Sequence, residues 1–151
     1  MNASSVNGAA SGRPHILISG AGMGGLTLAV ALLQKGFDVD IYEQASELRE
    51  IGAGLWISSN GGRVLQALGL KKAIEHINLP PDDRVIRLWN TGETRSVYNR
   101  DPNASSADHT LIMVLRAELQ RTLYEAVISL KPSAVHFGAR TRSEERRVGP
   151  K

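Results

Sequence analysis

The chain has 151 residues, enough for one domain with a sizeable core and too few for two full ones. Hydrophobic residues at 42% and charged residues at 22% argue against a wholly disordered or fibrous chain, and the lack of cysteine excludes disulfides, thiolate metal sites and cysteine nucleophiles. The formal net charge of +3 belongs to the stretch from Arg140 to Lys151, where five basic residues stand against two acidic ones; the other 13 basic and 13 acidic residues cancel, so the body carries no sign of a basic footprint for nucleic acid.

Met1 to Arg13 is small and polar, lacks the apolar core of a signal segment and reads as a flexible leader. No uninterrupted apolar span long enough for a bilayer follows, so no membrane association is expected and the cytoplasm is the default address. His15 to Ser19 is short, apolar and β-branched, the composition of a strand buried on both faces. Leu26 to Lys35 is apolar almost all round and stops at Gly36, as a buried helix with a glycine terminator does. Asp38 to Tyr42 alternates as a second strand.

Between the first strand and the helix lies Gly20-Ala21-Gly22-Met23-Gly24-Gly25, a GxGxxG pattern. Gly20 suits the tight turn, Gly22 lets backbone approach a pyrophosphate, and Gly25 lets helix and strand pack closely. The helix start offers free N–H groups and a positive dipole end to phosphates. Glu43, at the end of the second strand, stands near the offset at which an acid accepts hydrogen bonds from a ribose diol and repels a 2′-phosphate. The pattern alone is weak evidence, because many glycine-rich turns are only turns; here strand, helix and acid are all in register. Ala29, Leu32 and Val39 also fall where packing needs small or apolar residues. Spacing does not separate NAD from FAD, since both present an ADP half.

Further along, "EIGAGLWISSNGGRVLQALGL" from Glu50 to Leu70 reads as a glycine-lined approach and a short helix, with Asn60 as its cap, Val64, Leu65 and Leu68 as its apolar stripe and Gly69 as its stop. "RVIRLWNTGETRSVYNRD" reads as a hairpin turning at Asn90-Thr91-Gly92, between strands ending near Trp89 and beginning near Arg95. Asp101 to Asp108 reads as a polar loop. "VLRAELQRTL" from Val114 begins a helix with the core stripe Leu119, Leu123, Val127 and Leu130. Arg116 lies in its first turn, where the helix dipole disfavours a cation unless an anion compensates. Ala134 to Phe137 reads as a third parallel strand. The four histidines show no ligand spacing, so no metal is expected, and no Ser, His and acid arrangement reads as a triad.

The three blocks Gly20 to Glu43, Glu50 to Leu70 and Val114 to Leu123 resemble the N-terminal part of the single-component FAD-dependent aromatic hydroxylases, the salicylate and hydroxybenzoate hydroxylase group, from about Ile16 to Phe137. The resemblance implies an α/β fold: a Rossmann-like FAD-binding domain of the glutathione reductase type, incomplete, with the start of a β-rich substrate-domain insertion. It implies an FAD site at Gly20, Ala21, Gly22, Met23, Gly24, Gly25 and Glu43 for the ADP half, with Gly52 and Gly54 at close backbone contact with the flavin, Arg116 as an FAD-contacting arginine and Gln120 one turn later on the same face. Turn-making alone remains the alternative for Gly52 and Gly54. Trp56 and Ser59 depart from the family's pattern in this segment. Trp89 and Tyr98 would line a substrate cavity or pack as ordinary strand aromatics, and His109 precedes the Arg116 block.

The implied activity is hydroxylation of a small aromatic substrate, with NADH or NADPH as hydride donor and FAD carrying the chemistry. The family's later Asp-Gly and Gly-Asp motifs are absent, so residues 14–141 are expected to form a truncated FAD-binding domain, not catalytically competent alone, with apolar surface and a sheet edge uncovered. "RSEERRVG", Arg142 to Gly149, is the string obtained by translating a common short-read sequencing adapter, and 142–151 is expected to be a non-native tail; a genuine solvated tail is the alternative. Two other classes stay open: a non-catalytic FAD- or NAD-binding module, and a nucleic-acid binder resting on the basic tail alone.

Overall fold

The computed structural model describes residues 14–48, 52–79, 83–99 and 111–142. The leader, the polar loop at Asp101 to Asp108, His109 and the tail after Arg142 lie outside them. The chain divides into two compact units, one formed by residues 1–48 and 123–151 and the other by 49–122.

In the first unit, strands β1 (His15–Ser19), β2 (Asp38–Tyr42) and β7 (Val135–His136) form a parallel sheet in the order β1-β2-β7. Register runs His15 with Asp38 through Ser19 with Tyr42, and Ile41 with Val135. The period-2 pattern of β2 decides which face is dry: Val39 and Ile41 are fully buried, while Asp38, Asp40 and Tyr42 alternate to the other face. Leu26, Ala29 and Val30 of helix α1 (Met23–Gln34) are buried with Val39 and Ile41, as are Leu123, Val127 and Ala134 from the C-terminal part of the unit.

The sheet differs from expectation on its other face. Leu17 of β1 pairs with Asp40, shares its face and is 63% exposed, so β1 is buried on one side only. Likewise Leu28 of α1 is exposed although the helix is apolar nearly all round. Helix α1 ends as its sequence suggests. Gly36 takes φ +76°, the Phe37 N–H donates to Leu32 O at 3.1 Å and the Gly36 N–H to Leu33 O at 2.9 Å, the paired bonds of a Schellman stop.

In the second unit, β3 (Gly54–Ser58) pairs antiparallel with β6 (Leu111–Leu115), and β4 (Asp83–Arg87) with β5 (Thr94–Asn99). Helices α2 (Ser59–Ala67) and α3 (Lys71–Ile77) follow β3, and α4 (Arg116–Leu130) starts directly after β6 and carries the chain across the unit boundary. Neither β3 nor α3 is foreseen by the sequence reading. Ser58, not Asn60, stands at the N-cap of α2; Asn60 is inside the helix and accepts a hydrogen bond from Arg63 Nη2. Gly61 and Gly62 bring α2 close to the strands: a Cβ at Gly61 would lie 2.6 Å from Ile57 Cγ2. Of the expected stripe Leu65 is buried, Leu68 half-buried and Val64 exposed, and Gly69 (φ +77°) closes a second Schellman stop. In α4, Leu119, Leu123 and Val127 are buried as expected, whereas Leu130, in the last turn, is exposed.

The hairpin forms where the sequence puts it, with Gly92 at φ +71° and its N–H donating to Leu88 O at 3.0 Å. Trp89, in the turn, is 95% exposed and packs against nothing substantial among the described residues. The Tyr98 side chain lies outside the described residues.

Candidate functional site

The glycine turn joins β1 to α1. Gly20 takes φ +95°, a conformation that a Cβ opposes, and its N–H donates to Tyr42 O at 2.8 Å, tying the turn to the end of β2. Gly25 is demanded by packing: its Cβ would lie 2.2 Å from the Gly20 carbonyl oxygen. Gly20, Gly22 and Gly24 are free of that demand, since nothing lies within 4 Å of a Cβ placed there. Gly22 is the N-cap of α1 and supplies no side-chain acceptor, and no acidic residue stands in the first turn. The turn thus leaves open space, unobstructed backbone and the positive end of a helix beside one another.

Glu43 completes this cluster. Its Oε2 accepts from the Ala21 N–H at 2.8 Å and its Oε1 from the Ala45 N–H at 2.9 Å. The Ala45 bond, then the Ala21 bond, hold the carboxyl below the ordinary carboxylate range against the opposing effect of burial. Glu43 is therefore ionised at neutral pH, and two carboxylate oxygens with about four lone-pair directions keep capacity beyond these two bonds. Ala45, the second anchor, has no signal in the sequence, because any residue other than proline supplies the same N–H. Met23 opens α1, with its carbonyl accepting from Thr27 Oγ1 at 2.7 Å.

A second cluster outside the sequence reading lies in the same unit. Asp40 Oδ1 is 2.8 Å from Lys131 Nζ and 3.3 Å from His136 Nε2, and its Oδ2 is 2.8 Å from His15 Nε2. Lys131 also meets Asp38 Oδ1 at 2.8 Å and donates to Val39 O at 3.0 Å. The Lys131 hydrogen bond chiefly, with the two histidines, lowers the Asp40 carboxyl to about 2 despite partial burial. Tyr42 stacks on His136 at 4.9 Å. Among the described residues no group of three His, Asp or Glu is arranged to hold a metal. Alternating acids on β2 are the sequence signal for this cluster; their partner Lys131 is remote in sequence.

The other predicted site residues lie in the second unit. Gly52 takes φ +136°, and a Cβ on it would stand 3.0 Å from Arg116 Cδ. The Arg116 N–H donates to Ala53 O at 3.3 Å. Gly52 is thus a notch for the arginine stem. Arg116 is the first residue of α4 and is exposed, and among the described residues it pairs with no carboxylate: the acid of the same first turn, Glu118, pairs with Arg121 instead, at a helix end that disfavours a cation. Gly54, opposite Leu115, has ordinary room for a methyl, with Val114 O at 3.8 Å. Gln120 stands one turn beyond Arg116 and is half-buried.

Known proteins match most of the chain. A family model described as an NAD(P)-binding Rossmann-like domain matches residues 18–66. A 3-amino-4-hydroxybenzoate 2-monooxygenase of Streptomyces platensis is 34% identical over 139 residues, which covers 91% of this chain and 34% of that protein. An FAD-dependent urate hydroxylase of Klebsiella pneumoniae is 34% identical over 130 residues, 85% of this chain and 33% of that protein. Among solved structures, a tetrameric form of 2-methyl-3-hydroxypyridine-5-carboxylic acid oxygenase superposes with a TM-score of 0.70 at 27% identity, covering 84% of this chain and 32% of that one. HpxO of Klebsiella pneumoniae complexed with FAD and uric acid superposes with a TM-score of 0.68 at 34% identity, covering 90% and 34%. The chain spans about a third of the length of the curated relatives it matches.

Proposed function

We propose, for a chain that belongs to the FAD-dependent aromatic monooxygenases as the counterpart of their N-terminal part, that it binds FAD. The ADP half rests on Gly20, Ala21, Gly22, Met23, Gly24, Gly25 and Glu43. Arg116, with Gln120 beside it on α4 and Gly54 at the start of β3, serves the same cofactor. The observation that carries the reading is the ionised Glu43 carboxylate, anchored on the Ala21 N–H at an open glycine turn that leads into a bare helix start. The residues fit the group. A carboxylate suits a ribose diol and repels a 2′-phosphate, open backbone at Gly22 and Gly24 admits a pyrophosphate, and an uncompensated arginine suits a further anionic group.

For a protein of the relatives' full length, we propose hydroxylation of a small aromatic substrate with NADH or NADPH as reductant. Bound FAD supplies the redox and oxygen chemistry; the residues of this chain bind and orient it. We assign residues 14–141 to the FAD-binding domain. No helix among the described residues is long and apolar enough to cross a membrane.

The second reading, a Rossmann module that holds NAD in place of FAD, is favoured by one observation, the match of residues 18–66 to a model described as NAD(P)-binding. Titration of the full chain with FAD and with NAD, followed by flavin fluorescence and thermal stabilisation, separates the two. FAD is expected to bind more tightly than NAD, and Glu43→Gln to weaken FAD binding about tenfold, as loss of a charge-assisted hydrogen bond does. Equal or greater stabilisation by NAD would overturn the FAD reading, and indifference of FAD affinity to Glu43→Gln would overturn the site.

A further inference from the structure

The second unit contains a cavity of about 180 Å³ that none of the residues assigned to the cofactor lines. Its walls come from α2, α3, the residue after α3 and β6. Leu65 and Ile74 are buried, and with Ile112 they give it an apolar floor. Arg63, Lys71 and Glu75 bring charge to the wall. These charges do not cancel. Lys71 reaches Glu75 only at 3.9 Å, an i, i+4 pair across one turn, whereas among the described residues Arg63 meets no carboxylate and gives one of its five N–H donors to the neutral amide of Asn60. Asn78 adds a second donor: its Oδ1 accepts from the Met113 N–H at 3.1 Å, which keeps its NH2 group for a ligand.

Size, floor and charge together select a ligand. A space of this volume is below that of pockets for drug-sized molecules, which begin at roughly 300 Å³, but exceeds the roughly 150 Å³ that accepts one benzene ring. An apolar floor rewards a ring-sized apolar body. A guanidinium without a carboxylate partner among the described residues, lining the same cavity as an amide donor, rewards one negative head group, and the fork of an arginine matches a carboxylate in particular. We infer that this cavity is a binding site for a small monocarboxylate with an apolar body about one six-membered ring in size, held by Leu65, Ile74 and Ile112 below and by Arg63 and Asn78 at the head. The site is independent of the FAD reading, since no residue is shared.

The test titrates the full chain with benzoate and with benzyl alcohol, its neutral counterpart, and follows the methyl resonances of Leu65, Ile74 and Ile112 by NMR. Benzoate is expected to give saturable shifts at these methyls and to bind about fivefold more tightly than the alcohol, the scale of one partly exposed charge-assisted contact. Arg63→Gln is expected to abolish that preference and Arg63→Lys to keep part of it. Arg63 is exposed, so both variants retain the fold, which the backbone amide spectrum verifies. Absence of saturable shifts at the three methyls would overturn the site. Equal binding of the two ligands, or a preference that survives Arg63→Gln, would overturn the carboxylate.

Discussion

Two glycine segments of this chain, around Gly25 and Gly52, are strict for different reasons. At Gly25 the obstacle to a side chain is backbone, the Gly20 carbonyl oxygen 2.2 Å from the Cβ position. At Gly52 the obstacle is the stem of Arg116, a flexible side chain brought from a distant part of the chain, together with a φ of +136°. Backbone in a tight turn cannot yield, whereas an arginine stem can swing away. The first turn is therefore fixed by the local strand, turn, helix and strand, and the second by an association that folding has to make.

The steepest test of this contrast lies inside a single motif. Gly25→Ala should destabilise the chain by about 3 kcal/mol, at the upper end for inserting atoms into packed space, and abolish FAD binding. Gly24→Ala, one residue earlier in the same helix with nothing within 4 Å of its Cβ, should stabilise the ligand-free chain by about 0.5–1 kcal/mol through helix propensity. Urea unfolding of both variants measures the difference. Similar losses in the two would show that the turn relaxes and that its steric demand is not local.

The same contrast explains what was legible in the sequence. β1, α1, β2 and the Gly20–Glu43 cluster can be read there because every contributor lies in one continuous stretch whose periodicities are strong. The exposure of Leu17 cannot, because strand composition does not say how many faces of a sheet are covered. Strand β3 escapes a pattern reading because Gly54–Ser58 places Leu55, Trp56 and Ile57 in succession, without alternation, and its pairing with β6 is long-range. Gly52 and the stem of Arg116 meet for the same long-range reason. Arg116 itself is legible, since a cation in the first turn of a helix asks for an explanation that local sequence already poses.

Asp40 tests the contrast from the other side, because its partners are remote and yet the link is strong. Its carboxyl is 16% exposed and held at about 2, chiefly by the Lys131 hydrogen bond. A carboxyl lowered on folding contributes stability that is fully present above its unfolded value of about 3.9 and is lost as pH falls toward 2. Asp40→Asn should cost about 2 kcal/mol at pH 7 and flatten the stability profile between about pH 4 and pH 2. Lys131 has the opposite sign. Burial opposes its charge, but hydrogen bonds to Asp38 and Asp40 prevail and raise its value, so its contribution is present below its ordinary range and disappears as pH rises through the raised one. Chemical denaturation as a function of pH measures both limbs; an acid limb unchanged in Asp40→Asn would mean that remote charged links are as yielding as the arginine stem.

Gly52 should give the mildest losses, and they can be divided. Gly52→Ala should cost about 1 kcal/mol, from a φ of +136° that side chains resist and from the approach to Arg116 Cδ. In Arg116→Ala the stem beyond Cβ is gone, which leaves the backbone strain and an ordinary contact with that Cβ at 3.4 Å, so Gly52→Ala should cost less in that background, by roughly 0.5 kcal/mol, a coupling typical of residues in contact. FAD affinity reports on the arginine head instead of its stem. Arg116→Ala should weaken FAD binding with little change in stability, because the head of Arg116 is exposed and pairs with no carboxylate among the described residues. Gly52→Ala should weaken it through displacement of that head, and adding Gly52→Ala to Arg116→Ala should then change the affinity no further. If Gly52→Ala still lowers FAD affinity without the arginine, the glycine meets the flavin directly, and the notch is a consequence of that contact and not its purpose.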